Sequence, residues 1–233
     1  MNIKQKLTWA FAIIACLPVV LVATLVVMNL RSDARDSFVD GSGREIRQVS
    51  NAMQLFFDGI SQNVDYLASQ PLIKNTDDSL KTYMSANAES IPQGEMDKKV
   101  FAFLQDLGNA HPAYAYAIVG TAAGGYVSWP DDPKLNNYDP RQRPWYKAAQ
   151  AKPGKPFRTE AYYWAENDTS YVSTVRTIDN KLGTNGGVVS IDVSLKQLTE
   201  LVKQIKHTIE EIKEAPAIKT DRVGGMGSTG VKS

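Results

Sequence analysis

The sequence predicts an α+β protein in which the helices come first and an antiparallel sheet follows. Three observations carry that prediction. An uncharged run opens the chain, a near-heptad apolar stripe comes next, and past Ala113 the apolar period changes from that of a helix to that of a strand. Helices segregated from hairpin-like strands indicate an antiparallel rather than a parallel sheet. Hydrophobic residues make up 43% of the 233, enough for a real core.

The uncharged run is Leu7–Leu30, "LTWAFAIIACLPVVLVATLVVMNL". At about 1.5 Å per residue it outspans the ~30 Å hydrocarbon core of a bilayer. Trp9 suits one interface, and Pro18, a candidate kink in the span, is tolerated in lipid. A cleaved signal peptide would have a shorter apolar core and a small-residue cleavage site. A lipoprotein signal would place Cys16 after small residues, which "IIAC" matches loosely, but the chain stays apolar for well over two turns beyond it. The reading is an uncleaved transmembrane helix over 7–30. Lys4 and Lys6 precede it and Arg31 and Arg35 follow it, so the positive-inside rule gives a slight preference for a cytoplasmic N-terminus over 1–6.

Ile46, Val49, Met53, Phe56, Ile60, Val64 and Leu67 recur at helical spacing and define a long stalk helix. Gly41 and Gly43 are expected to loosen its first turns. The stripe fits either a helix covering its own domain's core or one pairing with a copy of itself. "SQPLIKNTDDS" ends it, with Pro71 and the Asp77-Asp78-Ser79 cluster as punctuation. Two shorter helices are expected over Leu80–Ala88 and Asp97–Leu107, the second closed by His111 and Pro112. "YAYAIV" and "GYVSW" then read as a hairpin around "AAGG", and "PFRTEAYY", "SYVSTVRTI" and "GGVVSIDVS" as further strands. A last stripe, Leu195, Leu198, Val202, Ile205, Ile209 and Ile212, predicts a C-terminal helix that stops near Ala215-Pro216. The Gly-rich, polar segment after it reads as a disordered tail.

Between the hairpin and the later strands lies "YDPRQRPWYKAA", Tyr138 to Ala149. Pro140 and Pro144 forbid an ordinary helix until Pro144, which suits the first turn of a short helix "PWYKAAQA". Arg143, Trp145 and Tyr146 are thereby fixed at a loop-to-helix junction. Arginine offers a planar fork for a carboxylate, and the aromatics offer apolar walls with a polar tip. These are parts of a small-molecule pocket. The same residues also fit a plainer role, with Trp145 and Tyr146 in the core and Arg143 in an internal ion pair.

The segment resembles the signature of Cache sensor domains, the extracytoplasmic ligand-binding domains of bacterial methyl-accepting chemotaxis receptors. The order of an N-terminal span, a stalk helix, a hairpin, "RPWY", "TEAYY" and "GGVVSIDVSLKQL" agrees with it from Arg31 to Ile205. The resemblance is to the membrane-distal module of a double-Cache domain of the amino-acid-binding type, and it implies a PAS-like antiparallel sheet. It further implies that Arg143 and Trp145, with Tyr146, hold an α-carboxylate, and that Asp192, with Tyr138 and Tyr162, holds an α-ammonium. Tyr163 is adjacent and competes with Tyr162 for that role, and Arg141 is expected to be structural or solvent-facing. In "WAENDTSY", Glu166 and Asp168 either meet a cationic ligand side chain or lie in solvent.

The expected organisation is therefore a periplasmic ligand-binding domain over 31–205, with a helix extension and tail over 206–233. In the family a second module, a second span and a cytoplasmic signalling region would follow; the expectation here is a sensor half that works as a homodimer or as a heteromer with a full-length receptor. Lys+Arg number 26 against 25 Asp+Glu, which gives no electrostatic footprint for nucleic acid. With one cysteine and two histidines, neither a disulfide nor a Cys/His zinc site is expected, and no cofactor is implied. The sequence carries no nucleophile elbow, phosphate loop or metalloprotease motif, so no enzyme is expected. The function read here is a membrane-anchored sensor, single-pass in the bacterial inner membrane, for a small solute, foremost a free amino acid. The alternatives are a non-enzymatic interaction or scaffold protein with a degenerate sensor, and a Cache sensor for amines, polyamines or organic acids.

Overall fold

The structure, a computed structural model, describes residues 2–76, 79–131, 135–179 and 185–214. The expected tail, Asp77 and Asp78 of the expected helix break, and the side chains of Trp9 and Glu166 lie outside the described residues.

One helix, α1, runs from Ile3 to Ser69. Asn2 caps it: its Oδ1 accepts the Ile3 N–H at 2.9 Å, and Gln5 Oε1 accepts the Asn2 N–H at 3.2 Å. The helix continues through Pro18, Gly41 and Gly43. The expected loosening at the glycines does not occur. Each costs about 1 kcal/mol against alanine, too little to interrupt so long a helix, and neither adopts left-handed backbone. α1 ends where Gln70, held extended by the following proline, precedes the short helix α2, Pro71–Lys74.

The first reading of the stalk stripe, a helix covering its own domain's core, holds for the C-terminal part of α1. Ile60, Val64 and Leu67 are sealed in the core, whereas Ile46 is 69% exposed. The C-terminal helix α5, Leu195–Glu214, turns back along α1, so that Lys206 and Ile209 share a groove with Ile46 and Val49.

The second short helix is α3, Glu95–Ala110, ended at His111 as the sequence suggests. Asp97 holds its start: Oδ2 accepts the Gly94 N–H at 2.8 Å and Oδ1 the Lys81 N–H at 2.9 Å. The helix expected over Leu80–Ala88 is absent. That segment is extended instead, Thr82 bridging Gly125 and Tyr83 bridging Tyr138, with only a 3₁₀ turn at Ala88–Ser90. The Tyr126 N–H donates to Lys81 O at 2.9 Å and the Tyr138 N–H to Tyr83 O at 2.7 Å. Non-local backbone pairing has overridden helix propensity there.

Six antiparallel strands form one sheet: β1 Tyr116–Thr121, β2 Tyr126–Trp129, β3 Phe157–Arg158, β4 Tyr162–Trp164, β5 Thr169–Asp179 and β6 Asn185–Ser194. The order is β2-β1-β6-β5-β3, and β4 also pairs with β5. The single strand expected over "PFRTEAYY" is broken in two. Between the halves the Thr159 N–H donates to Ser173 O at 2.8 Å, and Thr159 Oγ1 takes the Ser173 N–H at 3.1 Å, a side chain standing in for the next ladder bond.

Alternation sorts the sheet into two faces. Ala117, Val119, Ile178, Val189, Ile191 and Val193 pack against α1 and α3, reaching Val64, Leu67, Val100 and Leu104. Ile118, Val175 and Val188 face the other way, beneath Tyr138, Trp145, Tyr146 and Ala149. The last three belong to α4, Pro144–Ala151, the short helix read from Pro144.

Leu67→Ala should destabilise the protein by about 2–5 kcal/mol, because it leaves a cavity where α1 meets the sheet. Leu55→Ala, on the same helix at a side chain 72% exposed, should stay within about 0.5 kcal/mol of wild type. Denaturant titration of both variants checks the assignment of buried and free faces.

Candidate functional site

On the face away from α1 a cavity of about 40 Å³ separates the sheet from the segment ending at α4. Tyr138, Trp145, Tyr162 and Asp192 line it, and so does Trp164. Four of the six residues singled out in the sequence thus come together directly.

Tyr138 is placed by its bridge to Tyr83, and its ring packs edge to face on Tyr126 and on Trp164. Asp139 then accepts the Arg141 N–H at 3.0 Å, capping a 3₁₀ turn over Pro140–Gln142. Its carboxylate also takes two bonds from the Arg141 guanidinium, each 2.9 Å. Arg141 is committed to holding this turn, the structural use expected of it.

Arg143 precedes Pro144 and is extended, φ −81° and ψ 150°. Its guanidinium carbon lies 4.3 Å from the Tyr138 ring centre and 4.8 Å from that of Trp164. Stacking on two rings holds the cation at the rim of the cavity. Its Nε is buried without a hydrogen-bond partner, and no carboxylate among the described residues pairs with it. The internal ion pair considered for Arg143 is therefore not formed among those residues.

Trp145 and Tyr146 are both buried, so the core role considered for them holds in part. Trp145 faces the cavity beside Tyr138. Close approach makes this possible: a Cβ on Gly120 of β1 would lie 2.8 Å from Trp145 Cη2. Tyr146 packs behind Trp145, ring centres 5.5 Å apart, with its hydroxyl toward Gln150 and Arg141 rather than the cavity.

Asp192 is the buried anion, 3% exposed near the C-terminal end of β6. Ser190 Oγ donates to its Oδ1 at 2.5 Å and the Tyr162 hydroxyl to its Oδ2 at 3.2 Å. Tyr162 also bonds Ser173 at 2.9 Å. The register places Tyr116, Asp192 and Ser173 abreast on β1, β6 and β5. Alternation along β4 separates the two candidate tyrosines. Tyr162 turns inward, while Tyr163 is 60% exposed and donates to Asp168 Oδ1 at 2.7 Å on the outside. Asp168 is thereby directed away from the cavity.

Burial pushes the Asp192 carboxyl above the usual carboxylate range, and the hydroxyls of Ser173, Ser190 and Tyr162 pull it part of the way back. Burial, with Asp192 nearby, pushes the Tyr162 phenol far up. The Tyr138 phenol is pushed up to about 12 by burial, against the opposing effects of Trp145 and the Arg143 charge. Both phenols stay neutral at physiological pH and act as hydrogen-bond groups. The site therefore presents one stacked cation, one buried carboxylate and neutral donors between aromatic walls.

Sequence reasoning missed Tyr116, Tyr126, Trp164, Tyr171, Ser173 and Ser190. Period two contained part of the signal: Ser190 stands two before Asp192 on β6, and Trp164 two after Tyr162 on β4, so each shares its neighbour's face.

Residues 72–200, just over half of the chain, match the family of methyl-accepting chemotaxis protein-like first PDC sensor domains. The methyl-accepting chemotaxis protein McpB of Bacillus subtilis is 39% identical over 87 residues, 37% of this chain and 12% of its own length. Across the curated chemotaxis proteins it matches, the chain spans between 12% and 28% of their length. The ligand-binding domain of the Campylobacter jejuni chemoreceptor Tlp3, solved with L-norvaline, superposes with a TM-score of 0.54 at 17% identity, covering 72% of this chain and 62% of that one. That of the Pseudomonas fluorescens chemoreceptor CtaA, solved with L-isoleucine, gives 0.50 at 24% identity, covering 65% and 54%. These likenesses show the fold to be that of Cache-type sensor domains.

The raised pKa of Asp192 sets a sign for stability against pH. Folding disfavours its ionised form, so its contribution is greatest below the ordinary carboxylate pKa and is lost as pH rises through the raised value. Thermal melts of ligand-free protein should show Asp192→Asn gaining stability relative to wild type as pH rises from about 4 to 7. A difference that shrinks over that range would mean the ionised carboxylate is stabilised by its surroundings.

Proposed function

The chain belongs to the family of methyl-accepting chemotaxis protein-like first PDC sensor domains, and on that premise we propose that it binds a free amino acid as the input of a membrane-anchored chemoreceptor-type protein. The observation that carries this reading is the pair Arg143 and Asp192. They set opposite charges beside one aromatic cavity, with no salt bridge between them among the described residues. A zwitterion supplies the complement of both at once. Arg143, with the Trp145 wall, takes the α-carboxylate, and Tyr146 backs Trp145 from behind. Asp192, with Tyr162 and Tyr138, takes the α-ammonium, which also removes the disadvantage of ionising a buried carboxyl. The amino acids held by the Tlp3 and CtaA domains belong to the same chemical class.

Anchoring rests on α1. Between Leu17 and Leu30 its valines and leucines are each at least 47% exposed, an apolar surface on all sides of the helix that fits lipid rather than water. The reading places residues 7–30 in the bilayer and the domain from Arg31 onward outside the cytoplasm, in the periplasm where a second membrane exists. The exposed Phe38, Val39 and Ile46 then offer the lower part of α1 to a second copy or to a full-length receptor.

Isothermal titration of the full-length chain in detergent, against a panel of amino acids and amines, tests the binding. Arg143→Ala and Asp192→Ala each leave one charge of the ligand buried and unpaired, a cost of about 3–5 kcal/mol. Affinity should fall by about two to three decades in either variant. Lys147→Ala, exposed on α4, should bind like wild type. Wild-type affinity in folded Arg143→Ala and Asp192→Ala would refute the reading, as would ligands that lack both a carboxylate and an amine.

Topology is tested with Gln62→Cys, an exposed position on α1, in a Cys16→Ser background. A membrane-impermeant maleimide should label it in intact cells. Labelling only after lysis would reverse the orientation.

A further inference from the structure

Beyond Asp192 the cavity reaches Tyr116 on β1 and Tyr171 on β5, rings packed edge to face at 5.6 Å. β6 runs between these two strands, and the 3₁₀ turn Ala165–Asn167 leads into β5 above them. Asn167 Nδ2 donates to the Tyr116 hydroxyl at 2.7 Å and to the Tyr171 hydroxyl at 3.2 Å. A side chain exposed to solvent on its outer surface therefore ties the turn down onto two strands at once.

The next residue fixes the electrostatics. Asp168 adopts left-handed backbone, φ 49° and ψ 44°, and its carboxylate is bonded to Tyr163 on the outer surface. Among the described side chains here, Asn167 thus sets an amide on two tyrosines that line the cavity, and Asp168 sets its carboxylate on the outside. Among the described residues the charges at the cavity are Asp192 and, at its rim, Arg143. A bound zwitterion uses both. A third charge, on the ligand's side chain, would meet Ile118, Leu135 and neutral phenols, and would be desolvated without a partner.

We propose that Asn167 is a specificity-determining latch, which closes the side-chain end of the cavity across Tyr116 and Tyr171 and, with Asp168 held outside, restricts the ligand to amino acids with uncharged side chains. The proposal rests on the zwitterion reading above. It bears on the two uses considered for Asp168: a cationic side chain or polyamine would need that carboxylate turned inward, where the amide of Asn167 stands.

The test uses the full-length chain in detergent with five probes: L-alanine, L-serine, L-valine, L-lysine and L-glutamate. The three neutral probes should bind wild type at least about tenfold more tightly than the two charged ones. Asn167→Ala removes both hydrogen bonds of the latch, so L-valine should dissociate about tenfold faster. Asn167→Asp sets a carboxylate at the mouth, and affinity for L-lysine should rise about tenfold over wild type while that for L-glutamate does not. Circular dichroism confirms that each variant is folded. Preferential binding of L-lysine or L-glutamate by wild type overturns the latch and leaves the zwitterion reading standing. So does an unchanged probe order with unchanged dissociation rates in both variants. Failure of all five probes to bind wild type overturns both.

Discussion

The two-sided alternation of β6 is the constraint on which the site depends. Val189, Ile191 and Val193 lock the strand to α1 and α3, and this forces Val188, Ser190, Asp192 and Ser194 onto the opposite face. A slip of one residue would carry Asp192 into the apolar layer and Ile191 into the cavity, so the hydrophobic core itself fixes the position of the carboxylate. Gly187 guards the start of this register. It has φ 143°, and a Cβ there would collide with the Gly120 carbonyl of β1. The same β1 glycine lets Trp145 approach on the cavity side, so packing at Gly120 and alternation in β6 together set the floor and one wall of the site.

Over that floor the site holds charge at a cost to the fold. Asp192 loses water, and the hydroxyls of Ser190 and Tyr162 replace only part of its hydration. Arg143 is held by ring faces, which leave its hydrogen-bonding edge uncommitted among the described residues. A structure built for stability alone would join such a pair or replace it with apolar side chains. Keeping the two apart, each with its stabilisation incomplete, suits a cavity that is completed by something carrying both opposite charges.

How much of this was legible in the sequence follows from how local each determinant is. α4 begins at Pro144 as read, because a proline at the first helical position is a local signal. The stalk, α3 and the long strands β5 and β6 were legible from periodicity for the same reason. Leu80–Ala88 was not, since its conformation is decided by Gly125 and Tyr138, far along the chain. Neither was the choice between Tyr162 and Tyr163, because β4 is three residues long and too short to show its own phase. Tyr146 belongs to the same motif as Trp145, but one residue along a helix turns it by about 100° and puts it behind its neighbour. Asn167 carried no signal at all: its partners, Tyr116 and Tyr171, meet only because β6 separates their strands by one place.

The same strand also connects the cavity to the rest of the molecule. Asp192 is three residues from Leu195, where α5 begins, and no loop intervenes. Ser194 closes the join: its N–H and hydroxyl donate to Gln197 Oε1 at 3.0 and 2.9 Å, and its Oγ takes the Gln197 N–H at 3.1 Å. α5 then lies against the half-buried stripe of α1 at Val49, below the part of α1 fixed to the sheet. A ligand alters a protein only by binding two of its states unequally, and the difference must reside in elements that are free to differ. The sealed contact of Ile60, Val64 and Leu67 with the sheet is a poor place for such freedom. The partly exposed α1–α5 seam is a better one, and the shortest covalent route to it from the cavity is β6, through the residue that meets the ligand's ammonium in the proposed binding mode.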